Sequence, residues 1–330
     1  MDDGSQCLDL KAMIAKTQDC LNRNVENIAE AAFSYDGCYC AVDILHKTEN
    51  GYAIYEVKSS TDLSHLEVYA QDVAYQKYVL TNCGINVTGT YLVNINNEYV
   101  LDGELNVKEF FNISDISEAV ADEYLKVPTR IAQAKQMLEG GEPERDFGEY
   151  CHKPYGCTFW EYCSRDIIPH PSVFDLYRMS FKKALEHMNE GRLTLENMRE
   201  EKLTDTQQLQ LECTLGDKTY INKDGIKEFL TQLSYPLYFL DFETEQTVIP
   251  KYQGTHPYQQ VTFQYSLHYI EQEGGELKHT EFLGDGVTDP RRALAEQLCH
   301  DIPMNVCTTA YNKAFECTRL KELAEAYPDL

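Results

Sequence analysis

The sequence predicts a mixed α/β protein made of two successive α/β units. Its 330 residues and its 43% share of hydrophobic residues suit about two globular domains, each with a core of its own. Helix-like spacing of apolar residues separates segments in which apolar and polar residues alternate as they do in strands. These strand-like segments fall into two groups, 31–45, 52–60 and 87–96 in the first and 261–270 and 277–284 in the second.

The first predicted unit covers residues 1–141. Turn signals at Asp36-Gly37 and around Gly51 separate its first strands, and Gly84 is a natural C-cap for its central helix. The predicted elements are a helix (8–32), two strands joined by a turn (31–45), a third strand (52–60), a helix (66–84), a fourth strand (87–96) and a helix interrupted near Pro128 (116–141).

The second predicted unit covers residues 235–330 and follows an irregular cysteine-containing segment (142–172) and a helical linker (173–234). Because so few strands fit into it, we expect a partial domain and a chain that is a fragment of a longer protein. Asp289 and Pro290 mark a helix start. The predicted elements are strands over 235–244, 261–270, 277–284 and 306–312, and helices over 289–302 and 315–327.

The chain is strongly acidic. Its 29 Lys and Arg face 54 Asp and Glu, which gives a formal net charge of −25, and both halves of the chain are acidic. This balance excludes a broad cationic surface that clamps nucleic acid non-specifically. A nucleic-acid function would need a local groove or bound metal ions to hold phosphates, and solubility is the plainer explanation for most of the acids.

No membrane span or secretory signal is predicted. No run of about 18 apolar residues occurs, and the start, MDDGSQCLDL, lacks a basic region and an apolar region. We therefore expect a cytoplasmic protein without a membrane partner. In that reducing compartment, free thiols explain most of the twelve cysteines better than disulfides do.

Asp43, Glu56 and Lys58 form the first candidate site. Glu56 and Lys58 lie two residues apart in one predicted strand, so their side chains share a face, and Asp43 lies in the preceding strand. If the strands pair, that face carries two carboxylates and an ammonium group. Two carboxylates hold a hard divalent cation, which can activate water for attack on a phosphodiester. A solvated strand face with a salt bridge is the alternative.

The run GCYCAVDILHKTENGYAIYEVKSST, followed by AQDVAYQKYVL, resembles the PD-(D/E)XK nuclease core of the RecB and CRISPR-adaptation type. The resemblance implies a restriction-endonuclease-like mixed sheet in which Asp43, Glu56 and Lys58 are catalytic and the two acids hold Mg²⁺ or Mn²⁺. The family's first acidic motif has no clear counterpart in the N-terminal helix. In the family the next helix adds a glutamine to the site and presents a tyrosine. The candidate for the glutamine is Gln76, or alternatively Gln71, and the candidates for the tyrosine are Tyr75 and Tyr78.

The segment CHKPYGCTFWEYC carries three cysteines at six-residue spacing, with Pro, Gly and aromatic residues between them. This composition predicts a ligand loop, and dense thiolates suit zinc or an iron–sulfur cluster. Three unrelated buried thiols are the alternative. The nuclease resemblance implies a 4Fe–4S cluster held by Cys151, Cys157 and Cys163, with a fourth cysteine ligand upstream of the core. The candidates for that cysteine are Cys20 and Cys7, and His152 is a non-cysteine alternative for the fourth ligand.

The segment YFLDFETE places Asp241 and Glu243 on one face at the end of an apolar strand. The pair resembles the first motif of DEDD-type 3′–5′ exonucleases. AYNKAFECTRL resembles their second motif through Asn312, Phe315 and Glu316, whereas the third motif has no counterpart here. The resemblance implies an RNase H-like unit in which carboxylates hold two metal ions. A capped strand and an ordinary amphipathic helix are the alternative.

The order of these segments resembles a bacterial family of two-part nuclease-like proteins whose C-terminal half is a domain of unknown function. HPYQQVTFQYSLH and DPRRALAEQL are close to that half. We therefore expect a metal-dependent deoxyribonuclease, an exonuclease that acts on single-stranded DNA rather than RNA, with protein partners that the sequence does not indicate. Two alternatives remain, a degenerate nuclease that binds nucleic acid or serves as a scaffold, and a structural protein that binds zinc.

Overall fold

The computed structural model describes residues 9–330, which form a mixed α/β protein with two mixed β-sheets and eleven α-helices. The mixed α/β class predicted from the sequence is confirmed. The described residues up to Gln133 form one compact unit together with Thr231–Leu330, and Ala134–Leu230 form another. Within residues 9–330, no helix combines the length and the apolarity needed to cross a membrane.

The first sheet and its helices follow in the order α1 (Leu10–Asn22), β1 (Asn27–Tyr35), β2 (Cys38–Lys47), β3 (Tyr52–Val57), α2 (Leu66–Asn82), β4 (Val87–Ile95), α3 (Val107–Phe110), β5 (Phe111–Asp115), α4 (Ser117–Tyr124) and α5 (Val127–Glu139). The five strands are arranged in sequence order, and only β3 and β4 run parallel to each other. Parallel neighbours need a crossover connection, and α2 provides it. The buried residues of α2 join those of β1–β4 in one apolar core.

The helix predicted over 8–32 is wrong in its second half, because α1 ends at Asn22 and β1 begins at Asn27. Asn24 has a left-handed φ of +55°, which the interior of a helix cannot contain. Ile28 fits a helical spacing and a strand alternation equally well, and pairing with β2 buries it. Two helices, α4 and α5, replace the interrupted helix predicted over 116–141, and β5 has no counterpart among the predicted elements.

Residues 134–230 contain the end of α5 and the helices α6 (Trp160–Ser164), α7 (Phe181–Asn189), α8 (Asp205–Gly216) and, up to its last residue, α9 (Lys223–Thr231). The segment 173–234, predicted to be a helical linker, contains α7, α8 and α9. This unit has an apolar core of its own, which includes Val173, Leu195, Met198 and Leu211.

The second sheet and its helices consist of β6 (Leu237–Gln246), β7 (Gln260–Ile270), β8 (Lys278–Leu283), α10 (Arg291–Asp301), β9 (Cys307–Thr309) and α11 (Lys313–Ala326). The strand order is β8-β7-β6-β9, with β9 parallel to β6 and the other neighbours antiparallel. Tyr238, Leu240 and Phe242 of β6 share an apolar core with residues of α10 and α11. The alternating residues of β6 therefore face away from that core.

The loop between β6 and β7 joins the two sheets into one compact unit. Leu101 exchanges backbone hydrogen bonds with Thr255 (2.9 Å) and Gly254 (2.8 Å). The side-chain amide of Gln253 binds both the N–H (2.6 Å) and the carbonyl (2.9 Å) of Gly103. Beside these bonds lies an apolar group that we call the junction cluster, formed by Ile95, Tyr99, Leu101 and Phe110 with Val248 and Tyr258 packed against it.

Asp301, the last residue of α10, connects that helix with β7 and β8. Its Oδ2 accepts hydrogen bonds from the hydroxyls of Tyr265 (2.7 Å) and Thr280 (3.1 Å), and its Oδ1 accepts one from Gln297 (2.9 Å). Burial acts to raise the pKa of Asp301, but hydrogen bonds from His300 and these donors outweigh it and hold the pKa below its usual range. Because Tyr265 is fully buried, its hydroxyl depends on this carboxylate for a partner.

We expect Asp301→Ala to lower the free energy of unfolding by about 2–3 kcal/mol near pH 7, since the buried Tyr265 hydroxyl and the half-buried Thr280 hydroxyl lose their acceptor. The folded-state pKa of Asp301 is depressed, so its ionisation contributes fully above the unfolded value of about 3.9 and is lost as the pH falls through the folded value. Urea unfolding at about pH 7 and about pH 3 measures this dependence. A destabilisation that does not shrink at the lower pH would contradict the prediction.

Candidate active site

The end of β3 brings three of the predicted site residues together. Glu56 lies in β3 and Lys58 just beyond its last residue, and Lys58 Nζ is 2.7 Å from Glu56 Oε1. Asp43 of the neighbouring strand β2 accepts a hydrogen bond from the backbone N–H of Val57 through Oδ2, at 2.7 Å. These two strands pair in antiparallel orientation. Asp43, Glu56 and Lys58 therefore lie together at the end of β3, beside the middle of β2.

Helix α2 covers these groups with one of its faces. Gln76 Nε2 donates a hydrogen bond of 2.8 Å to Glu56 Oε2. One helical turn earlier, Asp72 Oδ2 lies 3.4 Å from Lys58 Nζ. Another turn earlier, the ring of Tyr69 lies 5.3 Å from the same ammonium group. The crossover from β3 to β4 places this face of α2 over the end of β3, where it covers Glu56 and Lys58.

The site is partly buried and carries three carboxylates for one ammonium group. Glu56 and Gln76 are only 5% and 8% exposed. Burial raises the pKa of Asp43, and the negative charge of Glu56 adds to this effect, while the Val57 N–H and Lys58 act against it. Burial acts to lower the pKa of Lys58, but the contacts with Glu56 and Asp72 outweigh burial and raise it. Lys58 is therefore a protonated ammonium group near neutral pH.

The donors of the site fit a hard divalent cation. Gln76 Oε1 is buried and has no hydrogen-bond partner among the residues that the structure describes, and a cation or its bound water would satisfy it. Over 9–330, no three His, Cys, Asp or Glu side chains lie close enough together to hold a metal ion by themselves. A cation here would rest on Asp43 and Glu56, with an amide oxygen and water as further ligands, which suits Mg²⁺.

Asp72 and Tyr69 are absent from the predicted site. Their spacing to Gln76, four and seven residues, is a helical signal that all three share one face of α2. That signal appears only after Gln76 is known to face Glu56, because the sequence does not indicate which face of an amphipathic helix meets the end of a strand.

The structure also shows which of the two candidate glutamines on α2 contacts Glu56, and where the two candidate tyrosines lie. Gln76 contacts Glu56, whereas Gln71 is half-buried elsewhere on the helix. The hydroxyl of Tyr75 donates to the carbonyl of Tyr39 at 3.0 Å and accepts from its N–H at 3.2 Å. Tyr78 packs against the apolar core of the first sheet. Both tyrosines therefore fasten α2 to the sheet.

The three cysteines of the irregular segment line one cavity. Cys151, Cys157 and Cys163 face a space of about 820 Å³ whose other walls include four aromatic and four charged side chains. Cys157 and Cys163 are exposed and Cys151 is half-buried. In the described part of the chain the thiols are not grouped tightly enough to form a metal site as they stand. Cluster binding would therefore require the loop to draw them together.

The candidates for a fourth cluster ligand have other surroundings. Cys20 packs against the apolar core of the first sheet. The ring of His152 stacks on Phe181, with 4.8 Å between the ring centroids. Cys7 lies outside the described residues.

The residues of the second predicted site lie in β6 and at the start of α11. Asp241 and Glu243 are exposed on the face opposite the apolar residues of that strand. Asn312 directly precedes α11, Phe315 packs against the core of the second sheet, and Glu316 is only 4% exposed. Within residues 9–330 no third acid joins Asp241 and Glu243 in a metal-binding group.

A family model described as Domain of unknown function (DUF2779) matches residues 238–330. The match begins inside β6 and includes the second sheet, α10, α11 and the loop that contacts the first sheet. This is the segment whose sequence resembles a C-terminal domain of unknown function. No curated protein shows significant similarity to the chain.

Proposed function

We propose that the protein is a metal-dependent nuclease that hydrolyses phosphodiester bonds, with single-stranded DNA as its substrate. In this proposal the first sheet and α2 form a restriction-endonuclease-like core. The convergence of Asp43, Glu56, Lys58 and Gln76 carries the proposal. These residues come from two adjacent strands and the next helix, in the order of the nuclease motifs, and one of them contributes a buried acceptor, Gln76 Oε1, that has no partner within residues 9–330.

Each residue has a distinct role in this proposal. Asp43 and Glu56 would hold Mg²⁺ or Mn²⁺, which when bound supplies Lewis acidity and a water of lowered pKa. Lys58 remains protonated, so its ammonium group donates to the attacking water or to a phosphate oxygen and stabilises negative charge in the transition state. Gln76 fixes the orientation of the Glu56 carboxylate through its hydrogen bond.

The charge of the chain supports a single-stranded substrate. A net charge of −25 disfavours contact with the phosphates of a duplex over a broad surface, so we expect contacts with substrate to concentrate at the site. A flexible single strand can present one phosphate locally at small cost in electrostatic repulsion. The choice of DNA rather than RNA as substrate follows from the nuclease resemblance. Cleavage assays with DNA and RNA oligonucleotides of the same sequence distinguish the two substrates.

We expect Lys58→Ala to lower the Mn²⁺-dependent cleavage of end-labelled single-stranded DNA by at least about 100-fold, because the transition state loses its ammonium donor. The protein is purified anaerobically, and circular dichroism checks that the variant folds. Lys77→Ala is the matched control, since Lys77 lies on α2 above the ring of Tyr124 and outside the site.

Equal cleavage by wild type and Lys58→Ala would contradict the assignment of this site. Binding of DNA by the wild type without cleavage in Mg²⁺ or Mn²⁺ would instead favour a degenerate nuclease that acts as a nucleic-acid-binding or scaffold protein.

We expect Gln76→Ala to raise the Mn²⁺ concentration needed for half-maximal cleavage by about tenfold, because Glu56 loses the donor that orients it. Gln71→Ala should leave the metal requirement unchanged. Titration of cleavage with Mn²⁺ compares the two variants. A larger effect of Gln71→Ala would assign the site glutamine to the other position.

Two further parts of the proposal concern the remaining motifs. The cysteine-lined cavity supports a 4Fe–4S cluster on Cys151, Cys157 and Cys163, because soft thiolates are the ligands that such a cluster uses.

The second sheet is proposed to be RNase H-like, with Asp241, Glu243, Asn312 and Glu316 as a second metal-dependent site. The exposed carboxylate pair on β6, Asp241 and Glu243, supports this proposal.

We expect the anaerobically purified protein to contain iron and acid-labile sulfide, and Cys157→Ser to lose most of both, since thiolates are required for the cluster. Cys213→Ser is the control, because Cys213 lies on α8 in the same compact unit but outside the cavity. Iron and sulfide analysis with an absorption spectrum measures the outcome. Zinc in place of iron would support a structural zinc site.

A further inference from the structure

The backbone that leaves β3 at Lys58 is held from two directions. The N–H of Lys58 donates to the carbonyl of Val93 at 2.8 Å, and the carbonyl of Ser60 accepts from the N–H of Ile95 at 3.0 Å. The carbonyl of Ser59 lies between these bonds to β4 and accepts a hydrogen bond of 2.5 Å from the hydroxyl of Tyr258. The loop between β6 and β7 thus contributes a polar contact one residue away from Lys58.

Tyr258 is itself held in an uncommon conformation. Its φ of +59° lies in the left-handed region, which bulky side chains rarely adopt unless the surroundings enforce it. Its N–H donates to the carbonyl of Thr247 at 2.9 Å, and its carbonyl accepts from the side chain of Gln246 at 2.6 Å. Its ring packs against the junction cluster. These contacts aim the hydroxyl in one direction, towards Ser59.

We propose that Tyr258 is a positioning residue for Lys58, an inference that rests on the proposed nuclease function. The hydrogen bond to the Ser59 carbonyl fixes the peptide unit between Ser59 and Ser60, the second unit after Lys58, and the backbone restrained in this way keeps Nζ between Glu56 and Asp72. The segment matched as a domain of unknown function therefore completes the site built by the first sheet. Small displacements of a catalytic group reduce rate strongly, so one distant hydroxyl can affect turnover.

The test compares Tyr258→Phe with Tyr99→Phe. Both changes remove one hydroxyl and keep a ring in the junction cluster. The hydroxyl of Tyr99 accepts a hydrogen bond of 3.0 Å from the N–H of Asn106, so the control loses a comparable bond away from Ser59. Two measurements are made. The first gives kcat and KM for Mn²⁺-dependent cleavage of single-stranded DNA, and the second gives the rate at which acetic anhydride labels Lys58, followed by mass spectrometry. Thermal unfolding verifies that both variants fold.

We expect Tyr258→Phe to lower kcat about fivefold with little change in KM, and to speed the labelling of Lys58 by a similar factor. Tyr99→Phe should match the wild type in both measurements. The proposal would be overturned if Lys58 were labelled at the same rate in Tyr258→Phe as in the wild type, or if the two variants had equal effects. If the wild type does not cleave DNA, the proposed function fails, and the labelling rate alone still decides whether Tyr258 positions Lys58.

Discussion

The buried carboxylate of Glu56 is the constraint on which the first sheet and its site depend. A charge that is only 5% exposed is costly unless hydrogen bonds and an opposite charge satisfy it. Lys58 contacts one oxygen of this carboxylate and Gln76 contacts the other. The ion pair between Glu56 and Lys58 joins residues close together in the chain, whereas the side-chain amide of Gln76 comes from a separate helix. Glu56 therefore ties the end of β3 to one particular face of α2.

Helix α2 meets two requirements at once. One part of its surface, which includes Val73 and Leu80, belongs to the apolar core, and another part presents Tyr69, Asp72 and Gln76 to the site. Apolar packing thus sets the rotation of the helix, and that rotation determines which polar side chains reach Glu56. The buried acceptor of Gln76 has no partner in the described residues, and in the proposed site a bound cation or its water would satisfy it.

The second sheet also bears on the first site. Backbone and side-chain hydrogen bonds from the β6–β7 loop join the two sheets, although more than a hundred residues separate them in the chain. The same loop carries Tyr258, whose hydroxyl reaches Ser59. A domain without an assigned activity can thus contribute to a site whose carboxylates it does not supply. The cysteine-lined cavity belongs to the other compact unit, which has a core of its own.

The sequence by itself determined the mixed α/β class, most strands and helices, and the set Asp43, Glu56 and Lys58. The class and the elements follow from local periodicity, and Glu56 and Lys58 share a face because they lie two positions apart. Asp43 was added through the resemblance of the surrounding run to the nuclease motifs. Tertiary structure decided the rest. It ended α1 before the strand that contains Ile28, selected Gln76 over Gln71 and added Asp72. The reason is physical, because the rotation of a helix and the docking of a loop depend on apolar surfaces distant in the chain. For Tyr258, only its packing and its bond to Ser59 reveal a role.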